Sequence, residues 1–197
     1  LRGLLRRGEA ASAFVEASRR ALENLVAAAI EEKVAFLIIA GDIFDGDWRD
    51  YATGQFFMRQ MGQLARAGIR VFTIRGNHDA ETVITRALPA PENLHAFSVR
   101  AVETERIEEL RVALHGRGFA NRHVAENVAL TYPPAVPGYF NIGILHTSLT
   151  GQEGHDVYAP CSVDDLRRAG YDYWALGHIH ERQIVAETPP IVFPGNL

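Results

Sequence analysis

Four apolar segments of this sequence end abruptly in Asp, Asn or His, and this repeated ending restricts the fold more than any other feature. The segments are rich in Val, Ile, Leu and aromatic residues, as strands buried in a sheet are, and they cover residues 34–40, 70–74, 139–145 and 173–176. Open α/β sheets place their chemistry at the carboxyl ends of such strands. We therefore expect the four endings to converge on one site.

The polar endings contain good oxygen or imidazole ligands: Asp42, then Gly-Asn-His-Asp at 76–79, then His146, then Gly-His-Ile-His at 177–180. A polar turn is the alternative explanation for each ending taken alone, because Asp, Asn and Gly are common turn residues. The occurrence of four such endings, in order, favours a shared site.

Two helices are predicted near the first strand, one before it and one that connects it to the second strand. Apolar residues recur at helical spacing over residues 13–32, and a second helix is predicted over 51–67, ended by Gly68. Strand, helix and strand then form a βαβ unit, whose two strand ends lie at one edge of a sheet. The continuous apolar character of segment 34–40 predicts a strand that is buried on both faces.

Shorter elements are predicted in the rest of the chain. The short helix over 163–169 has Ser162 as its N-cap and Gly170 as its stop. The other predicted elements are strands over 97–107, 111–114, 182–186 and 191–193, and a helix over 122–130.

Composition sets limits on the function. The 197 residues suit one sizeable domain. The formal net charge is -4, so contact with nucleic acid would need a local patch, a metal or a partner. No apolar run is long enough to cross a bilayer. The single cysteine, Cys161, allows no internal disulfide, and we expect a reducing, cytoplasmic environment.

The residue types at the strand ends favour a divalent metal site. Carboxylate, amide and imidazole ligands without a thiolate suit manganese, iron or zinc. The two oxygens of Asp42 can bridge two ions, and His178 and His180 can reach neighbouring ions if their segment is extended. A pair of ions can bind both the attacking and the leaving oxygen of a phosphoryl group.

His78 is expected to lie beside the metals, where it could protonate the leaving oxygen, with Asp79 orienting it. We interpret the histidines outside the strand ends as structural or surface residues. They are His95, His115, His123 and His155. His155 and the loop 151–161 could alternatively line the site.

In these motifs the chain resembles the calcineurin-like metallophosphoesterases. The matching motifs are the family's GD-x-x-D at 41–45, GNHD at 76–79, single His at 146 and GH-x-H at 177–180. Segments 41–53, 145–151 and 158–180 are most similar to the SbcD-like DNA-repair exonuclease branch, especially its bacterial YhaO-like group.

The resemblance implies a four-layer α/β/β/α sandwich and two metals, commonly manganese. By motif, Asp42 would bridge the metals, His180 would belong to one site, and the other site would be completed by Asn77, His146 and His178. His78 would be the general acid that protonates the leaving group. The implied substrate is a DNA end, and the implied partner is an SMC-like coiled-coil ATPase. Whether the chain also forms a homodimer stays open at this point.

The family's D-x-H motif and the first strand that carries it do not occur before the first helix. We therefore expect residues 1–197 to be a catalytic domain truncated at both ends, with the His180 metal bound weakly. Besides a DNA exonuclease, two functions stay open. One is a small-nucleotide or cyclic-nucleotide phosphoesterase, which the acidic charge favours. The other is a non-catalytic DNA-end-binding or assembly module with a vestigial site.

Overall fold

Two β-sheets form the middle of the structure. The computed structural model of this chain describes residues 9–44, 51–79, 90–150 and 157–197. The first sheet is parallel, with strand order β1-β2-β3, and consists of β1 (Phe36–Ile39), β2 (Arg70–Thr73) and β3 (Leu94–Ala96). The second is mixed, with order β4-β5-β6-β7-β9-β8. It consists of β4 (Glu103–Ile107), β5 (Val112–Gly116), β6 (Phe140–His146), β7 (Tyr173–Gly177), β8 (Gln183–Glu187) and β9 (Pro190–Phe193).

Helices cover the outer faces of the two sheets. The described helices are α1 (Glu9–Glu31), α2 (Tyr51–Arg66) and α3 (Val163–Arg168), with 3₁₀ turns at Glu108–Leu110 and Val128–Thr131. None of them is long and apolar enough to span a membrane. The short α3 is capped as predicted: the Asp165 N–H donates to Ser162 Oγ, the Asp165 carboxylate accepts from the Ser162 N–H, and Gly170 follows with φ 71°.

Three apolar clusters define the layers. Val26 and Leu64 pack α1 and α2 onto the first sheet. Phe72 and Ile144 pack the two sheets against each other. Trp174, fully buried, packs the second sheet against α3, and its indole N–H donates to the carbonyl of Leu166 at 3.1 Å. This helix–sheet–sheet–helix order is the expected α/β/β/α sandwich.

Three predicted elements differ from the structure. β1 is half-buried throughout and is not buried on both faces, because within the described sheet it is an edge strand that pairs only with β2. Only the second half of the predicted strand over 97–107 is a strand, β4, because residues 97–102 form a turn after β3 in which the Ser98 N–H donates to Glu103 Oε2. The predicted helix over 122–130 reduces to the 3₁₀ turn at Val128–Thr131, because loop contacts replace the helical bonds.

The register of the parallel strands brings the polar endings together. Ile39 lies opposite Thr73 in the first sheet, and His146 lies opposite Gly177 in the second. The residues after β1, β2, β6 and β7 therefore leave the sheets at one edge of the sandwich, as the sequence predicts.

His115 is a structural residue, as predicted. It is completely buried in β5, where its ring stacks on Tyr171 at a centroid distance of 4.3 Å. Nε2–H donates to Asn141 Oδ1 at 3.0 Å, and Nδ1 accepts from the hydroxyl of Thr104 at 2.9 Å. Burial lowers the pKa of His115 despite the bond to Asn141, so the ring is neutral at neutral pH and Nδ1 accepts from the Thr104 hydroxyl, which could otherwise also accept.

The stability of the fold should therefore decrease at mildly acidic pH. Unfolded histidine takes up a proton near pH 6.5, whereas folded His115 stays neutral to lower pH, so acid favours the unfolded chain. The contribution of one such proton cannot exceed about 1.4 kcal/mol per pH unit. Urea unfolding between pH 7.5 and 5.5 should show a steeper loss of stability for the wild type than for His115→Gln. Parallel losses would contradict this role of His115.

Candidate metal centre

His146 lies at the centre of the cluster formed by the strand ends. It is the last residue of β6, and its side chain is completely buried. Its Nδ1 lies 2.9 Å from the carbonyl oxygen of Ala40, the residue that follows β1. Because a carbonyl can only accept, Nδ1 carries the proton, and the neutral ring presents its lone pair at Nε2.

Two oxygens face that lone pair. Asn77 Oδ1 lies 2.9 Å from Nε2, and Asp42 Oδ2 lies 3.2 Å from it. Three electron-rich atoms at this separation repel one another unless a cation or a proton lies among them. A divalent ion of the borderline class would satisfy all three ligands together, so the donor set fits a metal.

His178 adds a fourth possible ligand. One ligand atom from each of Asp42, His146 and His178 lies within 4.8 Å of the other two. The rings of His146 and His178 are nearly perpendicular, with centroids 5.2 Å apart. His178 has φ 103° and Asp42 has φ 54°, conformations that non-glycine residues rarely adopt. Both side chains thus reach the cluster from unusual backbone conformations, which are typical of functional sites.

Three glycines enclose the His146 imidazole. A Cβ atom at Gly177 would lie 1.9 Å from the Ala40 oxygen, and one at Gly76 would lie 2.2 Å from Asp42 Oδ1. A Cβ at Gly41 would lie 2.7 Å from His146 Nδ1. Each glycine directly precedes a predicted site residue in the sequence, but only the structure shows that all three pack against the same ring.

The carboxylate of Asp42 is held in its charged form. It also accepts the backbone N–H of His78 at Oδ1, 3.0 Å away. Burial opposes ionisation, but a proton on His146 Nε2, standing where a cation would lie, bonds to the carboxylate, and this bond and charge, together with the N–H and charge of His78, outweigh burial and lower the pKa of Asp42. An ionised carboxylate is the form that binds a metal.

Asp79 connects the two loops that carry Asp42 and Asn77. Its buried carboxylate accepts the backbone N–H of Phe44 at 2.8 Å and those of Ile43 and Gly76 at 3.2 Å each. Burial nevertheless raises its pKa, and the nearby charge of Asp42 adds to the effect. The predicted orienting effect on His78 stays a prediction, because these bonds all go to the backbone.

His78 and His180 complete the set of predicted residues. His78 is half-buried next to Asn77, and its N–H bond to Asp42 fixes its backbone in the cluster. His180 is exposed and is not part of the group of possible ligands found among the described residues. Its carbonyl accepts the N–H of Asn196 at 3.0 Å, which holds the end of this segment.

Tyr158 lies against the cluster and was not among the predicted site residues, although the loop 151–161 that carries it was considered as a lining of the site. Its ring stacks on His178 at 5.8 Å and meets His146 edge-on at 5.7 Å. It is almost completely buried, and burial raises the pKa of its hydroxyl, as do the charges of Asp42 and Asp79. The loop 151–161 thus reaches the cluster through Tyr158, whereas His155 lies outside the described residues.

Comparison with known proteins supports the motif assignment. The family model of calcineurin-like phosphoesterases matches residues 15–182. Over 185 residues the chain is 40% identical to YhaO of Bacillus subtilis, a metallophosphoesterase described as uncharacterized, covering 92% of this chain and 45% of YhaO.

More distant matches are named DNA double-strand break repair protein Mre11. The identity to the Methanopyrus kandleri protein is 23% over 201 residues, covering 92% of this chain and 44% of that protein. The identity to the Sulfurisphaera tokodaii protein is 26% over 167 residues, covering 82% and 42%. This chain therefore spans less than half the length of these relatives.

Substitution of Gly177 by Ala should destabilise the cluster. The new methyl group would overlap the Ala40 carbonyl, so either β7 or the β1 loop must move. We expect a loss of about 1–3 kcal/mol in the free energy of unfolding.

Gly62→Ala is the matched control. Gly62 lies in α2, where the nearest neighbour that a Cβ would meet among the described residues is Arg66 Nη1 at 3.9 Å, so this change should stabilise the helix by about 0.5–1 kcal/mol. Urea unfolding of both variants distinguishes the effects, and equal stabilities for the two would contradict the proposed packing.

Proposed function

The chain belongs to the calcineurin-like phosphoesterase family, and we propose that it is a metal-dependent phosphodiesterase acting on DNA ends. The observation that carries the proposal is the convergence of Asp42 Oδ2 and Asn77 Oδ1 on His146 Nε2. A cluster of acceptors without a donor between them is suited to a cation, and phosphoesterase chemistry uses one.

In this proposal, Asp42, Asn77, His146 and His178 would hold one ion, and Asp42 with His180 would contribute to a second. When bound, the ions would supply positive charge that polarises a phosphoryl group and lowers the pKa of water. Asp42, with its pKa lowered, stays ionised as a ligand at neutral pH. The glycines around His146 and the bonds of Asp79 keep the ligand geometry fixed before substrate arrives.

His78 is the proposed general acid. It lies between the ligand Asn77 and the buried Asp79, with its backbone fixed by Asp42. From this position its imidazole would donate a proton to the oxygen that leaves phosphorus. The sugar oxygen that leaves phosphorus in DNA is a poor leaving group without a proton. Hydrolysis of DNA therefore depends on this proton more than hydrolysis of an ester with a good leaving group does.

DNA is favoured as the substrate because two of the relatives are named as DNA double-strand break repair proteins. The net charge of -4 favours instead a small-nucleotide or cyclic-nucleotide ester, which is the second candidate. Manganese as the metal, the SMC-like ATPase partner, the homodimer and the cytoplasmic location stay predictions.

Asp42→Asn should abolish tight metal binding, because it removes the charge of the bridging ligand. The affinity for Mn²⁺, measured by isothermal titration, should fall by more than the roughly 10–100-fold that loss of an outer-shell partner costs. Asp164→Asn is the matched control, since Asp164 is exposed in the first turn of α3 and its one ion pair within the described part of the chain is with Arg167 at the surface. Equal Mn²⁺ affinity in the two variants would exclude Asp42 as a ligand.

His78→Gln should leave Mn²⁺ binding within about twofold of the wild type and slow DNA hydrolysis by roughly 10²–10⁴-fold. The full-length protein would be assayed on linear duplex DNA, a cyclic nucleotide and bis(4-nitrophenyl) phosphate. Nitrophenolate leaves without protonation, so that ester should lose much less activity than DNA.

An equal loss on DNA and on the nitrophenyl ester would contradict the acid role of His78. Turnover of the cyclic nucleotide alone would favour the second candidate. Wild-type protein that binds Mn²⁺ and hydrolyses none of the three substrates would point to the non-catalytic module.

A further inference from the structure

A pocket of about 330 Å³ lies beside the candidate metal centre. This volume is at the lower end of the range, roughly 300–1,000 Å³, that holds small molecules. Its wall combines apolar and polar groups, among them Val99, Arg117, Phe119, Asn121, Val124 and Glu126. We call it the Arg117 pocket.

The strand register explains why the Arg117 pocket adjoins the cluster. Gly116, the last residue of β5, lies opposite Ile144 of β6, so Arg117 leaves the sheet beside the end of β6 that carries His146. The Phe119 N–H donates to the carbonyl of Arg75, the residue before Gly76, at 3.1 Å.

Two aromatic rings separate the pocket from the proposed metal ligands. Phe119 meets Tyr158 edge-on at a centroid distance of 5.0 Å, and Tyr158 stacks on His178 at 5.8 Å. The pocket wall therefore begins two ring spacings from His178, close enough for one DNA strand to reach both the pocket and the cluster.

The wall is fixed to the loop that carries Tyr158. The Ala159 N–H donates to the carbonyl of Val124 at 2.7 Å, and the Tyr158 hydroxyl donates to the carbonyl of Asn121 at 3.1 Å. Another bond, from the Gly118 N–H to the Ser98 carbonyl at 2.9 Å, fixes the opposite side. The pocket is thus preformed and supported by backbone bonds.

The polar groups of the wall suit a ligand with both an anion and hydrogen-bond donors. Arg117 is half-buried, and its Nε is buried without a hydrogen-bond acceptor among the described residues. A buried donor of this kind costs free energy until an acceptor reaches it. Glu126 contributes a carboxylate to the same wall, which disfavours a ligand that is purely anionic.

A nucleotide has this combination: a phosphate that pairs with guanidinium, and a base whose amino groups donate. The volume suits one nucleotide and not a base pair. We propose that the Arg117 pocket receives one unpaired nucleotide of the DNA strand being cleaved, with Arg117 binding its phosphate. The assignment rests on the proposed function and specifies how that site selects DNA over smaller esters.

Arg117→Gln in the full-length protein tests the assignment. The KM for a single-stranded oligonucleotide should rise about tenfold, the change expected when one charge-assisted bond is lost. The kcat, and the turnover of bis(4-nitrophenyl) phosphate, which has no nucleotide, should not change. Arg117→Lys should recover part of the affinity, because it keeps the charge but not the planar fork.

Two further variants provide controls. Arg66→Gln makes the same charge change at an exposed position of α2, in the opposite outer layer, and should behave as the wild type. Ala125→Phe narrows the pocket from an exposed position of its wall and should also raise the KM for DNA, so the test stands even if Arg117→Gln does not fold. Urea unfolding of each variant checks that it folds with the stability of the wild type.

An unchanged KM for DNA in both pocket variants, with normal turnover of the nitrophenyl ester, would overturn the assignment of a nucleotide to the Arg117 pocket. The proposed function would remain intact. If the wild type hydrolyses neither substrate, the proposed function fails. The pocket assignment is then tested separately, by binding of deoxyadenosine monophosphate to the metal-free protein. Binding that weakens about tenfold in Arg117→Gln would support the pocket, and absence of binding would exclude it.

Discussion

The hydrogen bond from His146 Nδ1 to the carbonyl of Ala40 is the contact on which the cluster depends. It joins the end of β6 in one sheet to the end of β1 in the other, across 106 positions of sequence. Because this bond requires the ring proton on Nδ1, the neutral ring has its lone pair on Nε2, which faces Asn77 and Asp42. This bond therefore joins the two sheets at the edge that carries the site, while the apolar cluster of Phe72 and Ile144 packs them together, and it also orients the ring toward a cation.

This alignment requires very close packing, which the chain achieves by omitting side chains. Gly41, Gly76 and Gly177 bring backbone to within contact of the imidazole, where any Cβ would collide. Asp79 then ties the loops of Asp42 and Asn77 together through backbone N–H groups. The strained φ angles of Asp42 and His178 are held by these contacts. The candidate ligands are thus held together by packing, so a metal would find them already arranged.

Much of this arrangement is predictable from local sequence, and the remainder depends on contacts between distant segments. Strand ends with polar residues predict the edge that carries the site, because parallel strands share an edge, and the capping box of α3 is visible in Ser162 and Asp165. The half-buried state of β1 was not predictable, since an apolar run does not reveal how many neighbours a strand has. The predicted helix over 122–130 failed because the carbonyl of Val124 bonds to Ala159 and that of Asn121 to Tyr158, far along the chain.

Part of segment 122–130, which was predicted as a helix and is irregular in the structure, forms a wall of the Arg117 pocket. This coincidence has a physical reason. A helix satisfies its own carbonyls, whereas an irregular segment must bond to other parts of the chain, and here those bonds go to the loop of Tyr158. The same bonds position Tyr158 against His178 and Phe119 against Tyr158. If the Arg117 pocket receives a nucleotide as we propose, this acidic chain would select a nucleic acid through one half-buried arginine on a rigid wall, because local charge at a fixed position acts where net charge cannot.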